Sequence, residues 1–262
     1  MINLDNVSDR FNSYLSMYNC KSDSSFNLKV VHTLNVVENA KIISKKMNLS
    51  EDDINLAQLI AYLHDLGRFE ELNAFKGFDS VGNDHALAAS KILFDGNLIR
   101  DFISDTSYDY IIRKAIENHN KLFIEDGLDD KELLHAKIIR DADKLDNFRV
   151  CVEESIETRF SGKFSSIEEF NNSLISDKVY DSILNHECVA IHDRVYPLDY
   201  WLCVLAFIFD LSFDETFTIV KENDYINILI DKFNYNDKST IEKMKTIRKE
   251  LNSYIDGKIN NK

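Results

Sequence analysis

Apolar residues recur along the chain at three- and four-residue steps, the period of an amphipathic helix. Over residues 26–47 the stripe runs Leu28, His32, Val36, Asn39, Ala40 and Ile43. Ser50 followed by Glu51, Asp52 and Asp53 is an N-cap signal with an acidic first turn. The helix it opens carries Ile54, Ala57, Ile60, Ala61 and His64, and Gly67 reads as its C-cap stop. Residues 68–83, RFEELNAFKGFDSVGN, read as a loop, after which Asn83 or Asp84 caps a helix through Leu93. Periodicity predicts further helices near 105–120, 131–145, 146–160, 166–176, 178–188, 198–210, 212–223 and 238–256. Pro197 suits the first turn of the helix that starts near Leu198.

Composition narrows the fold class. The chain has 262 residues with one proline and seven glycines. All-β folds need turn residues at short, regular intervals, so the expectation is an all-α fold of long helices. A change of texture falls near residue 160, with five of the seven histidines before it. No linker marks that point. The expected layout is an N-terminal helix in 1–25, a core over 26–160, and further helices over 161–262 completing the same globular domain. The net charge of −14 argues against a nucleic-acid partner, whose phosphates are neutralised by Lys and Arg. The longest apolar run, Tyr200 to Phe209, is too short to span a bilayer, so no membrane partner is expected. The opening MINLDNVSDR is polar and acidic and reads as no signal peptide. Cys20, Cys151, Cys188 and Cys203 form no CxxC pair. A cytoplasmic protein with free thiols is the expectation.

A His-Asp doublet carries little by itself, and the chain has two, His64-Asp65 and His192-Asp193. Context separates them. His64 continues the inward stripe of Ile60 and Ala61, and Asp65 lies about 100° round the helix, so both side chains reach the stripe's edge. His192-Asp193 stands just before Pro197 with no stripe behind it, which makes it a loop or cap feature. Other inward polar positions join the first doublet: His32 on the Leu28–Val36 stripe, His85 heading Ala88, Ala89 and Ile92, His119 after Ile112, Ala115 and Ile116, and Asp143 after Ile139 and Ala142. Any one of these histidines alone is most simply a satisfied core residue. Five helices that each aim a His or carboxylate inward are better explained by a cation. Their donor set suits Mn, Fe, Co, Zn or Mg.

The order H…HD…D, with VVHTLNVVENA around His32, YLHDLGRF around the doublet and RDADKLDN around Asp143, resembles the HD superfamily of metal-dependent phosphohydrolases. The similarity covers about residues 26–150. It implies an all-α fold in which His32, His64, Asp65 and Asp143 hold a divalent metal. His85 and His119 fall where binuclear members carry extra histidines, so they would hold a second ion or contact substrate phosphate. The chain lacks a GYP signature after an HH pair, and no Glu-Asp motif like that of the ppGpp hydrolases follows the doublet. The implied activity is hydrolysis of a phosphate ester, a nucleotide or small phosphorylated metabolite. Two alternatives share the ligand set: a di-iron oxygenase and a non-catalytic metal-containing signalling or binding module.

Such chemistry uses a divalent ion to acidify water and neutralise phosphoryl charge. Asp65 is the natural bridge between two ions or the group that orients the attacking water. Arg68, one turn beyond His64, either clamps phosphate through its fork or pairs with Glu70 or Glu71. Lys144 is a second candidate clamp, although its place about 100° from Asp143 favours a solvent-facing side chain. Asn120, beside His119, is a candidate hydrogen-bond donor to a ligand. His135 reads as a core or surface residue, and His186 near Cys188 as no metal motif. The aromatic helix at Tyr200, Trp201, Phe207 and Phe209 reads as core packing. Five of the seven glycines lie among the site-bearing helices, and the 68–83 loop is the expected lid.

Overall fold

The computed structural model describes residues 2–18, 23–75, 84–160 and 162–260. It is all-α, with no strand among the described residues. The chain divides into two compact units, Met1–Asp146 and Asn147–Lys262. Residue 160, where the texture of the sequence changes, lies inside the second unit.

The first unit holds α1 (Leu4–Leu15), α2 (Ser24–Lys46), α3 (Glu51–Leu63), α4 (Leu66–Phe75), α5 (His85–Ser90), α6 (Ile99–Phe102), α7 (Asp109–Asn118) and most of α8 (Asp130–Glu153). Helix α2 starts where the Asp23 carboxylate accepts from the amides of Ser25 and Phe26. It stops where Asn48 takes a left-handed φ of 56° and Leu49 N–H returns to Ser44 O, so that late carbonyls are satisfied. Its inner face buries Val36, Ala40 and Ile43 completely against α3. Helix α3 starts at Ser50, whose hydroxyl accepts from Asp53 N–H at 3.1 Å, as the SEDD signal predicts. It ends with His64 as its C-cap.

Three expectations are corrected here. Gly67 is no helix stop: it lies in the first turn of α4. A Cβ there would come 2.2 Å from His85 O and 2.9 Å from Ala89 N, so its smallness lets α4 touch α5 directly. The loop expected over 68–83 is helical as far as Phe75, which removes its first half as a lid; residues 76–83, with Gly77 and Gly82, lie outside the described residues. The helix breaks expected between 131–145 and 146–160 are absent, and α8 runs unbroken to Glu153. Its start is a reciprocal cap, with Asp129 Oδ1 accepting from Lys131 and Glu132 amides and Glu132 Oε2 from Asp129 N–H.

Aromatic residues fix the joint between α3 and α4. Phe69 is fully buried among Phe11, Tyr14, Tyr18 and Phe26. Tyr14 donates to Leu66 O and Tyr18 to Glu70 Oε1 at 2.7 Å. Helix α1 thus clamps the residue that follows Asp65.

The second unit comprises α9 (Ile156–Arg159), α10 (Ile167–Asn171), α11 (Asp177–Leu184), α12 (Pro197–Leu205), α13 (Asp214–Glu222), α14 (Tyr225–Ile230) and α15 (Lys238–Asn260). Trp201 is buried among Phe170 and Phe233 and packs in the core as expected, while Tyr200, Phe207 and Phe209 are only half-buried. Pro197 stands in the first turn of α12 as predicted. Buried Asp199 accepts from Ser176, Val195 and Tyr196. His192-Asp193 lies in a single 3₁₀ turn, with the His192 side chain 79% exposed. No described helix is long and apolar enough to cross a membrane.

The contact at Gly67 yields a prediction. Gly67→Ala forces a methyl group against backbone rather than a mobile side chain, and overpacking of that kind costs about 1–3 kcal/mol. Urea unfolding of the variant is expected to show that loss. An unchanged midpoint would show that α4 and α5 separate without penalty.

Candidate metal centre

Six side chains from five helices and one joint meet inside the first unit. His32 comes from the middle of α2, His64 caps α3, and Asp65 occupies the joint before α4. His85 is the first residue of α5, His119 caps α7, and Asp143 lies mid-way along α8. Donors at helix ends escape the fixed direction of a mid-helix side chain, which lets short helices converge on one point.

Asp65 is at the middle. Its Oδ2 lies 3.7 Å from His32 Nε2 and 3.6 Å from His64 Nε2. Its Oδ1 lies 3.5 Å from His85 Nε2 and 3.7 Å from His119 Nε2. One carboxylate thus turns each oxygen to a different pair of imidazoles. Asp143 Oδ1 joins the first pair, 3.1 Å from His32 Nε2. His85 and His119 face each other, Nε2 to Nε2, at 3.1 Å. The donor atoms of His32, His64 and Asp143 all lie within 4.8 Å of one another, and so do those of His64, Asp65 and His119.

The outer nitrogens explain why the inner ones are available. His64 Nδ1 lies 2.7 Å from Ala61 O, and His119 Nδ1 lies 2.7 Å from Ile116 O. A carbonyl only accepts, so Nδ1 carries the proton and Nε2 keeps its lone pair. His32 Nδ1 is held by Asp146 Oδ2 at 2.6 Å. His32 and His64 are nearly or fully buried, yet Nε2 of each has no hydrogen-bond partner. A buried polar atom without a partner costs about 1–3 kcal/mol. Two such atoms, beside two buried or half-buried carboxylates, fit a divalent cation held by nitrogen and oxygen donors.

Electrostatics agree with that fit. Burial pushes the His64 pKa down to about 4, so this imidazole stays neutral at physiological pH. Burial also lowers His85 far below the ordinary value, with the Arg68 charge adding to it. For Asp65, burial acts to raise the pKa. The Lys29 charge, with the surrounding imidazoles, outweighs it and holds the carboxyl well below the usual range. Asp143 behaves alike, with burial opposed by the close approach of His32. His32 goes the other way: burial and Lys29 lower its pKa, but Asp143 and Asp146 on either side bring it above the ordinary 6.5.

The remaining expected contacts divide. Arg68 Nη1 donates to Glu71 Oε2 at 2.6 Å, the pairing weighed against phosphate contact; its charge still reaches His85. Asn120, on the turn after His119, donates to Asp84 Oδ1 at 2.9 Å, the carboxylate that caps α5. Lys144 is buried, at 6% exposure, which corrects the solvent-facing reading: its neighbours Arg140, Asp141, Ala142, Leu145 and Asp146 are buried too, so this stretch of α8 has no solvent-facing side there. His135 is a buried residue whose Nε2 meets Asp53 at 3.3 Å, and His186 pairs with Glu250.

Two residues of the centre went unread in the sequence. Lys29 Nζ lies 2.8 Å from Asp65 Oδ2, and Asp146 holds His32. Each stands one helical turn from a predicted ligand, Lys29 before His32 and Asp146 after Asp143. That spacing was the available signal.

Comparison with known proteins follows the same segment. The HD domain family model matches residues 30–147, a span that contains all six converging side chains. No curated protein and no solved structure gives a match.

Two outcomes are expected of this arrangement. Asp146→Asn weakens the carboxylate–imidazole support of His32, and such losses cost roughly 10–100-fold in metal affinity. Calorimetric titration with Mn²⁺ is expected to show that drop while the helical circular dichroism is unchanged. Because His32 holds a proton above its ordinary pKa and a ligand nitrogen must be neutral, ion uptake by the wild-type protein should release protons. Affinity should therefore fall as pH is lowered through and below the His32 pKa. Binding heats that do not vary with buffer ionisation enthalpy would contradict this.

Proposed function

The chain carries an HD domain over residues 30–147, the mark of a superfamily of metal-dependent phosphohydrolases, and from that premise we propose that it hydrolyses a phosphate ester of a nucleotide or small phosphorylated metabolite. The observation that carries this reading is the divided Asp65 carboxylate, with one oxygen toward His32 and His64 and the other toward His85 and His119. His32, His64, Asp65 and Asp143 would hold one ion. His85, His119 and the second oxygen of Asp65 would hold another. A divalent cation, when bound, supplies Lewis acidity, acidifying water and drawing charge from phosphoryl oxygens.

The chain's own residues set the rest. Ligand imidazoles must be neutral, so four of them with two carboxylates would leave a loaded centre with net positive charge, which an anionic ester then balances. Lys29, 17% exposed at its side chain, offsets part of the Asp65 charge and adds a cation beside the reacting centre. Arg68, braced by Glu71 and close enough to act on His85, supplies a fork suited to phosphoryl oxygens. These two cations account for how a chain of net charge −14 would attract a small phosphate while repelling a polyanion. Asp146 and the carbonyls of Ala61 and Ile116 keep the imidazoles aimed inward without substrate.

The test is phosphate release from a panel of nucleotides and sugar phosphates with Mn²⁺ added. His64→Ala and Asp65→Ala are each expected to lower kcat/KM by about 10³-fold or more, equivalent to some 4 kcal/mol, with folding intact by circular dichroism. Wild-type activity in both variants would sink the proposal. The rate should be the same in anaerobic buffer; a requirement for oxygen with bound iron would replace hydrolysis by oxygenase chemistry.

A further inference from the structure

Arg140 stands on α8 one turn before Asp143 and is buried, at 2% exposure. Its Nη1 donates to Asn118 O at 2.5 Å and Lys121 O at 2.7 Å, and its Nη2 to Leu122 O at 3.4 Å. These carbonyls bracket His119. The last carbonyls of a helix have no amide of their own helix to accept from, and they form the negative end of its dipole. A guanidinium fork serves several at once in fixed directions, which a lysine ammonium does not.

The same turn is tied at other points. Asn118 Oδ1 accepts from Glu125 N–H at 3.0 Å, and Asn118 itself is fully buried. Asn120 reaches Asp84, whose carboxylate also accepts from Ala86 and Leu87 amides at the start of α5. The backbone on either side of His119 is thus fixed from α8 and from α5, and His85 opens that second helix. Helix α8 carries Arg140, Asp143 and Asp146 at successive three-residue steps. Asp146 supports His32 on one side of Asp65, and Arg140 supports the His119 turn on the other.

We infer that Arg140 is the positioning residue for the His85–His119 half of the centre, holding His119 where a second divalent ion needs it. The inference rests on the two-ion reading proposed above. The fork bears on the α7 turn, whereas His32 is held by Asp146 and His64 by Ala61 O.

The experiment compares wild type, Arg140→Lys and His119→Ala after loading with Mn²⁺ and dialysis. Ions per chain are counted by elemental analysis, affinities are read by calorimetry, and the fold is checked by thermal melting of the metal-free proteins. Arg140→Lys keeps the cation and loses the fork. The expected result is two ions on wild type. On Arg140→Lys the tighter site should be unchanged within about 3-fold and the second weakened by about 10–100-fold, with His119→Ala matching that pattern. Two sites of wild-type affinity in Arg140→Lys would overturn the inference. So would loss of both sites or of the fold, because Arg140 would then support the whole unit rather than one half of its centre. A single ion on the wild-type protein would instead remove the two-ion reading itself, which separates that failure from a failure of Arg140.

Discussion

The buried carboxylate of Asp65 is the constraint on which the first unit is organised. A charge in that position is unfavourable unless several groups answer it, and here one ammonium and four imidazoles do so within 2.8–3.7 Å. Asp65 can take this place because the chain breaks there, between α3 and α4. A residue inside a continuous helix has one outward direction; a residue at a joint has more freedom. The break is kept by its surroundings, with Tyr14 on Leu66 O and Phe69 locked in an aromatic cluster. Gly67 completes it by letting the two backbones of α4 and α5 meet, which brings His85 to the second oxygen.

The supports of the imidazoles differ in kind. His64 and His119 bind carbonyls three residues back in their own chain, so each is oriented by the turn that carries it. His32 relies on Asp146, a residue 114 positions away. The first two are consequences of local geometry at a helix end; the third exists only once α2 and α8 have packed. The His32 side is therefore the part of the centre most dependent on tertiary structure, and it is also where an imidazole stands between two carboxylates.

How much of this was legible follows from the same distinction. The regular stripe of α2 was predicted nearly to both ends, and the starts of α3 and α15 were placed, while α3 stops before Gly67 and α15 runs past residue 256. The six converging side chains were readable because each lies on, or caps, an apolar stripe. Lys29, Asp146 and Arg140 were not, since a charged residue off the stripe looks like solvated surface until its partner from a distant helix is known. Gly67 misled for a related reason: a glycine after a helical stripe signals a stop, and nothing local tells of a second backbone 2.2 Å from the missing Cβ. Lys144 was read as outward because a periodicity argument assumes one exposed side, whereas nearly every residue from Arg140 to Asp146 is buried.

The carbonyl-anchored imidazoles have one further consequence. Because His64 and His119 are aimed by their own turns, the donor frame is preorganised: it does not need an ion to assemble it. A frame of that kind neither contracts around a small ion nor opens for a large one. Selection among the divalent cations would then be made by how well each fits a fixed spacing of nitrogens and oxygens, more than by how strongly each attracts them. Ion exchange would leave the helices where they stand.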